Sequence, residues 1–96
     1  MSEVQRLSDR EVQERLVALD GWVLNHGKLY REFKFPNFVQ AFGFISQVAL
    51  IAETMNHHPE WTNVYDRVDV VLASHDVDGV SDRDLALARR LDALPR

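Results

Sequence analysis

The chain has 96 residues, 46% of them hydrophobic, which suits one domain with an ample core. Formal net charge is −4, so no basic footprint recommends nucleic acid or an anionic membrane surface. Cysteine is absent, which removes disulfides, thiolate catalysis and sulfur-ligated metals together. Met1 to Arg10 carries charges and no apolar segment of signal-peptide length, and no run approaches the roughly 18 apolar residues of a membrane span, so a cytoplasmic protein is expected.

Ser8-Asp9-Arg10-Glu11 is a capping box that starts a helix with Val12, Leu16 and Leu19 as its apolar stripe, ended by Asp20-Gly21. Trp22 to Asn25 reads as a short strand, and Asn25-His26-Gly27 turns the chain into a second strand, Lys28 to Phe35. Leu29, Phe33 and Phe35 alternate with polar neighbours there, and Arg31 falls on the apolar side as the weak point of the register.

Asn37 is a good N-cap for the longest element, a helix to about Asn56 that spans about 30 Å. It carries two apolar stripes, Phe38, Phe42, Ile45, Ala49 and Ala52 on one side and Val39, Phe44, Val48, Ile51 and Met55 on another. A helix so apolar in a small domain is expected to pack against a partner. Trp61 to Tyr65 and Val68 to Ser74 form a second hairpin, with His75 closing its last strand. Gly79 permits a reversal, Ser81-Asp82-Arg83-Asp84 caps a closing helix, and Leu87, Leu91 and Leu94 form its stripe. The order αββαββα, with no repeat or internal boundary, implies one domain over residues 1–96. Its fold is α+β, an antiparallel sheet with helices on one face.

The chemistry concentrates in Glu53-Thr54-Met55-Asn56-His57-His58-Pro59-Glu60-Trp61, joined by His75. Proline cannot continue a helix and pushes the preceding residue towards extended geometry, so the paired histidines sit on a corner that lets both rings aim into one cavity. Glu53 and His57 are four apart and can share a helical face; a carboxylate on one ring nitrogen fixes the tautomer. An imidazole exchanges protons near neutrality because its ordinary pKa is about 6.5.

The bland alternative is that His57 and His58 complement a helix C-terminus and that His75 is a solvated strand end. Zinc ligation is another, since three imidazoles and a carboxylate suffice, although neither HExxH nor HxH spacing occurs. Trp61 is by default a core or interface aromatic and otherwise a flat wall for a planar ring. Arg83 opposes the helix dipole in its first turn, so it faces either a ligand or a surface acid. There is no GxSxG elbow and no phosphate-cradling glycine loop.

The spacing of Glu53, His57-His58-Pro59, Tyr65, His75 and Asp84 resembles the signature of pterin-4a-carbinolamine dehydratases. Gly21-Trp22, Arg31 to Phe35, Phe38 with Ala41 to Phe44, Asn63 to Tyr65 and Gly79 to Asp84 extend the likeness over almost the whole chain. The resemblance implies a four-stranded antiparallel sheet and dehydration of a 4a-hydroxytetrahydropterin to quinonoid dihydropterin, with no metal or organic cofactor. That reaction recycles the pterin used by aromatic amino acid hydroxylases. Its catalytic residues map onto His57, His58 and His75 with Glu53 as acidic partner, and Trp61, Arg83 and Asn56 fall at the substrate, Asn56 where some relatives carry aspartate. The expected assembly is a homodimer or homotetramer through the long helix or a sheet edge. Some relatives also act as dimerisation cofactors for a homeodomain transcription factor, so a non-catalytic protein-binding helper is the alternative.

Overall fold

The computed structural model describes residues 4–96; the first three residues of the Met1 to Arg10 stretch lie outside the described residues. Helix α1 (Asp9–Leu16) is followed by β1 (Val23–Asn25), β2 (Lys28–Lys34), α2 (Phe38–Met55), β3 (Glu60–Val64), β4 (Arg67–Leu72), a 3₁₀ turn (His75–Val77) and α3 (Asp82–Asp92). The αββαββα order holds, with the 3₁₀ turn inserted before α3. All three predicted N-caps are in place: the Ser8 side chain accepts from the Glu11 amide, Asn37 from Gln40 and Ser81 from Arg83.

The strands form one antiparallel sheet in the order β1-β2-β4-β3. Leu29 lies opposite Leu72, Arg31 opposite Val70 and Phe33 opposite Val68, so the inward faces of the two central strands coincide. α2 and α3 cover that face, and the core joins Leu29, Phe33, Val70 and Leu72 to Phe44, Val48, Leu85 and Leu91. Phe44 is the hub, its ring 4.6 Å from Phe33 and 5.0 Å from Phe35. Arg31 does face inward, and its charge is answered locally: Nη1 donates to Asp92 Oδ1 and to the Asp20 carbonyl, both at 2.9 Å, while the guanidinium lies 4.5 Å above the Phe33 ring. Trp22 Nε1 donates to the same Asp92 oxygen. Gly21, at φ +91°, leaves room for this arrangement, since a Cβ there would fall 2.8 Å from the guanidinium carbon.

Three sequence expectations need correction. β4 ends at Leu72, and His75 opens the 3₁₀ turn after a single bridge between Ser74 and Gly79, because the reversal at Gly79 begins sooner than the alternation suggests. α2 buries only the stripe Ala41, Phe44, Val48 and Ala52; Phe38, Val39, Phe42 and Leu50 stay exposed because no layer of the described residues lies beyond the helix. At 18 residues and a mean hydropathy of 1.4, α2 is also long and apolar enough to cross a membrane by length and composition, contrary to the expectation for any run of the chain. Only 22% of it is buried, so most of its apolar surface points away from the sheet.

Truncation of the hub, Phe44→Ala, is expected to cost about 3–5 kcal/mol of unfolding free energy in denaturant titration; a loss below about 1 kcal/mol would contradict its central role. On the sheet's other face, Tyr30 donates to Asp69 Oδ1 at 2.7 Å, and this bond to the neutral phenol, followed by partial burial, raises the tyrosine pKa. The stability from this bond is complete below the ordinary tyrosine pKa and is lost as pH rises through the raised value. Ultraviolet titration should show Tyr30 ionising at lower pH in Asp69→Asn than in the wild type.

Candidate active site

Hydrogen-bonding at the end of α2 decides where the paired histidines point. Asn56 adopts the left-handed conformation (φ 49°, ψ 42°), its N–H bonds back to Ala52 and Glu53, and the His57 N–H reaches the Ala52 carbonyl at 3.1 Å. This six-to-one closure is the Schellman form of helix termination, in which asparagine is the usual substitute for glycine. The corner is therefore made at Asn56, three residues ahead of Pro59. It turns His57 inward, where the residue is 8% exposed, and leaves His58 in the open.

That turn changes the partners expected from helical spacing. The helix stops at Met55, so Glu53 and His57 do not share a face. His57 Nε2 instead meets Asp84 Oδ1 at 2.5 Å, and Glu53 Oε1 meets His58 Nε2 at 2.8 Å. With each carboxylate accepting, Nε2 is the donor of each ring in its pair. The Glu53–His58 pair is on the surface, where such pairs contribute little stability, about 0–1 kcal/mol.

Asp84 is fully buried in the first turn of α3. Its Oδ2 accepts from Ser74 Oγ and from the Ser81 backbone N–H, each at 2.9 Å. Since Ser74 Oγ donates to the carboxylate, Ser81 Oγ donates to Ser74 Oγ across 2.6 Å. Both serines are buried, and every oxygen of the cluster has a partner, which is the condition for keeping polar groups out of water.

A cavity of about 470 Å³ opens beside this cluster. The corner contributes Asn56, His57, His58 and Pro59; β3 contributes Glu60; the chain after β4 contributes Ala73, His75 and Asp76; and α3 contributes Arg83. All three histidines singled out in the sequence thus line one hollow, at the end of the sheet where α2 stops and α3 starts. His75 is 75% exposed in its side chain, with Nε2 4.0 Å from Glu60 Oε1. Arg83 pairs through Nη2 with Asp76 Oδ1, while its buried Nε–H has no partner. Among the described residues no group of three or more His, Asp or Glu side chains is placed to hold a metal ion. Another hollow, about 300 Å³ between α2 and the chain end, is lined by Phe35, Phe44, Gln40 and Gln47 and carries Arg96 as its single titratable group.

Of the residues singled out, Asn56, His57, His58, His75 and Arg83 line the cavity, and Glu53 reaches it through His58. Trp61 is not in the lining: strand alternation puts it opposite Val70 on one face while its neighbour Glu60, opposite Val71, enters the cavity. Asp84, not among the candidate site residues, is the buried partner of His57. It appeared in the signature and in the Ser81 cap, and the cap spacing is the local signal that the carboxylate turns back towards Ser81. Ser74, at the end of the predicted fourth strand, is another partner of that carboxylate.

The site is thus an open hollow lined by three imidazoles in an α+β fold, with a buried carboxylate behind one ring and a surface carboxylate on another. The family model described as Pterin 4 alpha carbinolamine dehydratase matches residues 5–94. This chain belongs to that family. Relatives from Solibacter usitatus (49% identical over 89 residues, 93% of this chain and 94% of the relative), Prochlorococcus marinus (57% over 76 residues, 79% of each) and Brucella ovis (50% over 91 residues, 93% and 94%) carry the name pterin-4-alpha-carbinolamine dehydratase as a provisional assignment. A crystal structure described as transcriptional coactivator/pterin dehydratase from Brucella melitensis superposes with a TM-score of 0.88 at 49% identity, over 93% of this chain and 97% of that one.

Replacing Asp84 by asparagine keeps its volume but offers an N–H to His57 Nε2. Nitrogen-15 NMR should then show the His57 proton moved from Nε2 to Nδ1 in a folded protein, and an unchanged tautomer would refute the Asp84–His57 coupling. Asp84→Ala is expected to cost about 3–5 kcal/mol of stability, because a buried partner is left without its mate.

Proposed function

We propose that this chain dehydrates a 4a-hydroxytetrahydropterin to the quinonoid dihydropterin, by histidine acid–base catalysis, as a recycling step for a tetrahydropterin cofactor in the cytoplasm. Membership of the dehydratase family supports the substrate class, and the observation that carries the chemistry is the meeting of three imidazoles around one cavity. In the reaction the bond from C4a to its hydroxyl breaks and the ring nitrogen lone pair forms a C=N bond. A proton must reach the departing oxygen and another must leave the nitrogen. Each assisted transfer typically contributes 10²- to 10⁴-fold.

His58 and His75, both open to the cavity, are the proposed proton-transfer residues, with Glu53 holding the tautomer of His58. His57, held by Asp84 rather than by Glu53, positions or polarises the substrate, and Asn56 and Arg83 flank it. The unpartnered Arg83 N–H supports a contact with an acceptor on the pterin. No metal or organic cofactor is called for in this scheme.

The exposed apolar face of α2 supports assembly, and we propose a homodimer or homotetramer through this helix or a sheet edge. The same face and the coactivator description of the Brucella melitensis neighbour support a second reading, a helper that stabilises another protein's dimer.

Stopped-flow dehydration with the purified protein should show turnover that a chelator leaves unchanged. His58→Ala and His75→Ala should each lower kcat by roughly 10²- to 10⁴-fold with the fold intact by circular dichroism; near-normal turnover in both would refute the assignment. Sedimentation should give more than a single chain per particle, and Phe42→Glu should lower that mass; a strict monomer at high concentration would count against both uses of the α2 face.

A further inference from the structure

We propose that the segment ahead of α1 is a strap that positions His75 from outside the cavity, with Arg6 as its positioning residue. The inference rests on the dehydratase reading above and on the role given there to His75. The ring of His57 is pinned by Asp84, whereas the His75 side chain is 75% exposed and its Nε2 stands 4.0 Å from Glu60 Oε1. Packing therefore does not aim this second ring. Its direction follows the backbone of the reversal that opens at His75, so whatever holds that backbone holds the imidazole.

The reversal is closed on itself and then clamped from outside. The Ser74 N–H donates to the Gly79 carbonyl at 2.7 Å, and the Gly79 N–H returns to the Ser74 carbonyl at 3.3 Å. The 3₁₀ turn between them ends at Asp78, which is left-handed (φ 52°). Arg6 Nη1 donates to the Asp78 carbonyl at 3.4 Å, from 72 residues away in the chain. A basic side chain at the last carbonyls of a helical turn satisfies an acceptor that the turn itself leaves open. One residue on, the Leu7 N–H donates to the Val80 carbonyl at 2.8 Å, and Leu7 packs on the core in which Val80 is buried. Arg15 of α1 then reaches Asp82 Oδ1, at the start of α3, across 2.9 Å. Residues 6–15 thus tether the stretch 78–82, which joins the His75 turn to Arg83 and Asp84.

Gly79 is the complement of Arg6. It is not among the residues with positive φ, so its backbone does not call for glycine. What a side chain would meet is the strap: a Cβ there would fall 2.7 Å from Arg6 Cδ and 3.0 Å from Arg6 Cγ. The stem of the arginine lies in the space that a methyl group would take, which lets its guanidinium reach the carbonyl of the preceding residue.

The test is a double-mutant cycle on the purified chain, read by stopped-flow dehydration of a 4a-hydroxytetrahydropterin and by hydrogen exchange. Arg6→Ala should lower kcat about tenfold and leave KM within about twofold, since misplacing a catalytic group costs rate more than binding. Arg6→Lys, which can donate to the same carbonyl, should recover most of that loss. The amides of Val77 to Gly79 should exchange faster in Arg6→Ala, while those of Val70 and Leu72 stay as slow as in the wild type. Gly79→Ala should lower kcat in the wild type by displacing the arginine, and should do nothing further in Arg6→Ala, where the space is free. Normal kcat in Arg6→Ala, an equal loss from Gly79→Ala in both backgrounds, or faster exchange throughout the sheet would overturn the strap while leaving the dehydratase reading in place. Absence of turnover in the wild type would instead sink that reading, and the strap's part in it.

Discussion

A single buried carboxylate holds the functional end of this molecule together. Asp84 receives the imidazole that follows α2, the hydroxyl that follows β4 and the backbone N–H that precedes α3. Three groups, one of them 27 residues away in the chain, thus converge on two oxygens. An ionisable group with no solvent contact is costly unless every lone pair is answered, so the cluster tolerates few other arrangements. Its satisfaction holds His57 in the direction that the turn at Asn56 gives it and, through the short chain to Pro59, the opening of the cavity.

The rest of the fold serves to bring those segments to one place. The register of β2 on β4 aligns the turn that carries His26 and Lys28 with the chain leaving β4 at Ala73. β3 begins beside them with Glu60, whose side chain the pleat directs to the cavity and whose neighbour Trp61 it directs elsewhere. The helices supply the third side: α2 ends and α3 begins where the sheet runs out. Much of the core is thereby spent on making one end of a thin sheet rigid enough to hold three imidazoles and their acids.

How much of this the sequence discloses depends on the range of the interaction concerned. Capping at Ser8, Asn37 and Ser81 and the two hairpins are local, and they appear where the residues indicate. The gathering of His57, His58 and His75 is legible because the family signature spaces them, but the pairing of acids with rings is not. Whether Glu53 meets His57 or His58 turns on one residue, Asn56, adopting a left-handed conformation, and side-chain spacing on a helix says nothing about how the helix stops. The two apolar stripes of α2 show the same limit: composition reveals that the helix is apolar on more than one side, while only the position of the sheet decides that Ala41, Phe44, Val48 and Ala52 are the side used. Arg31 is the converse case, an apparent flaw in the strand pattern that becomes intelligible once Asp92 and the Phe33 ring stand beside it.

The termination of α2 at Asn56 makes the helix a measuring rod. Since each residue advances the backbone by about 100° around the axis, one codon gained or lost between Phe38 and Met55 would swing its exit by that angle and carry both imidazoles off their acids, however well the remaining apolar residues packed. Length in this segment therefore constrains the site more tightly than composition does. Substitutions on the outward face of the rod, by contrast, leave unmoved the point at which the chain turns.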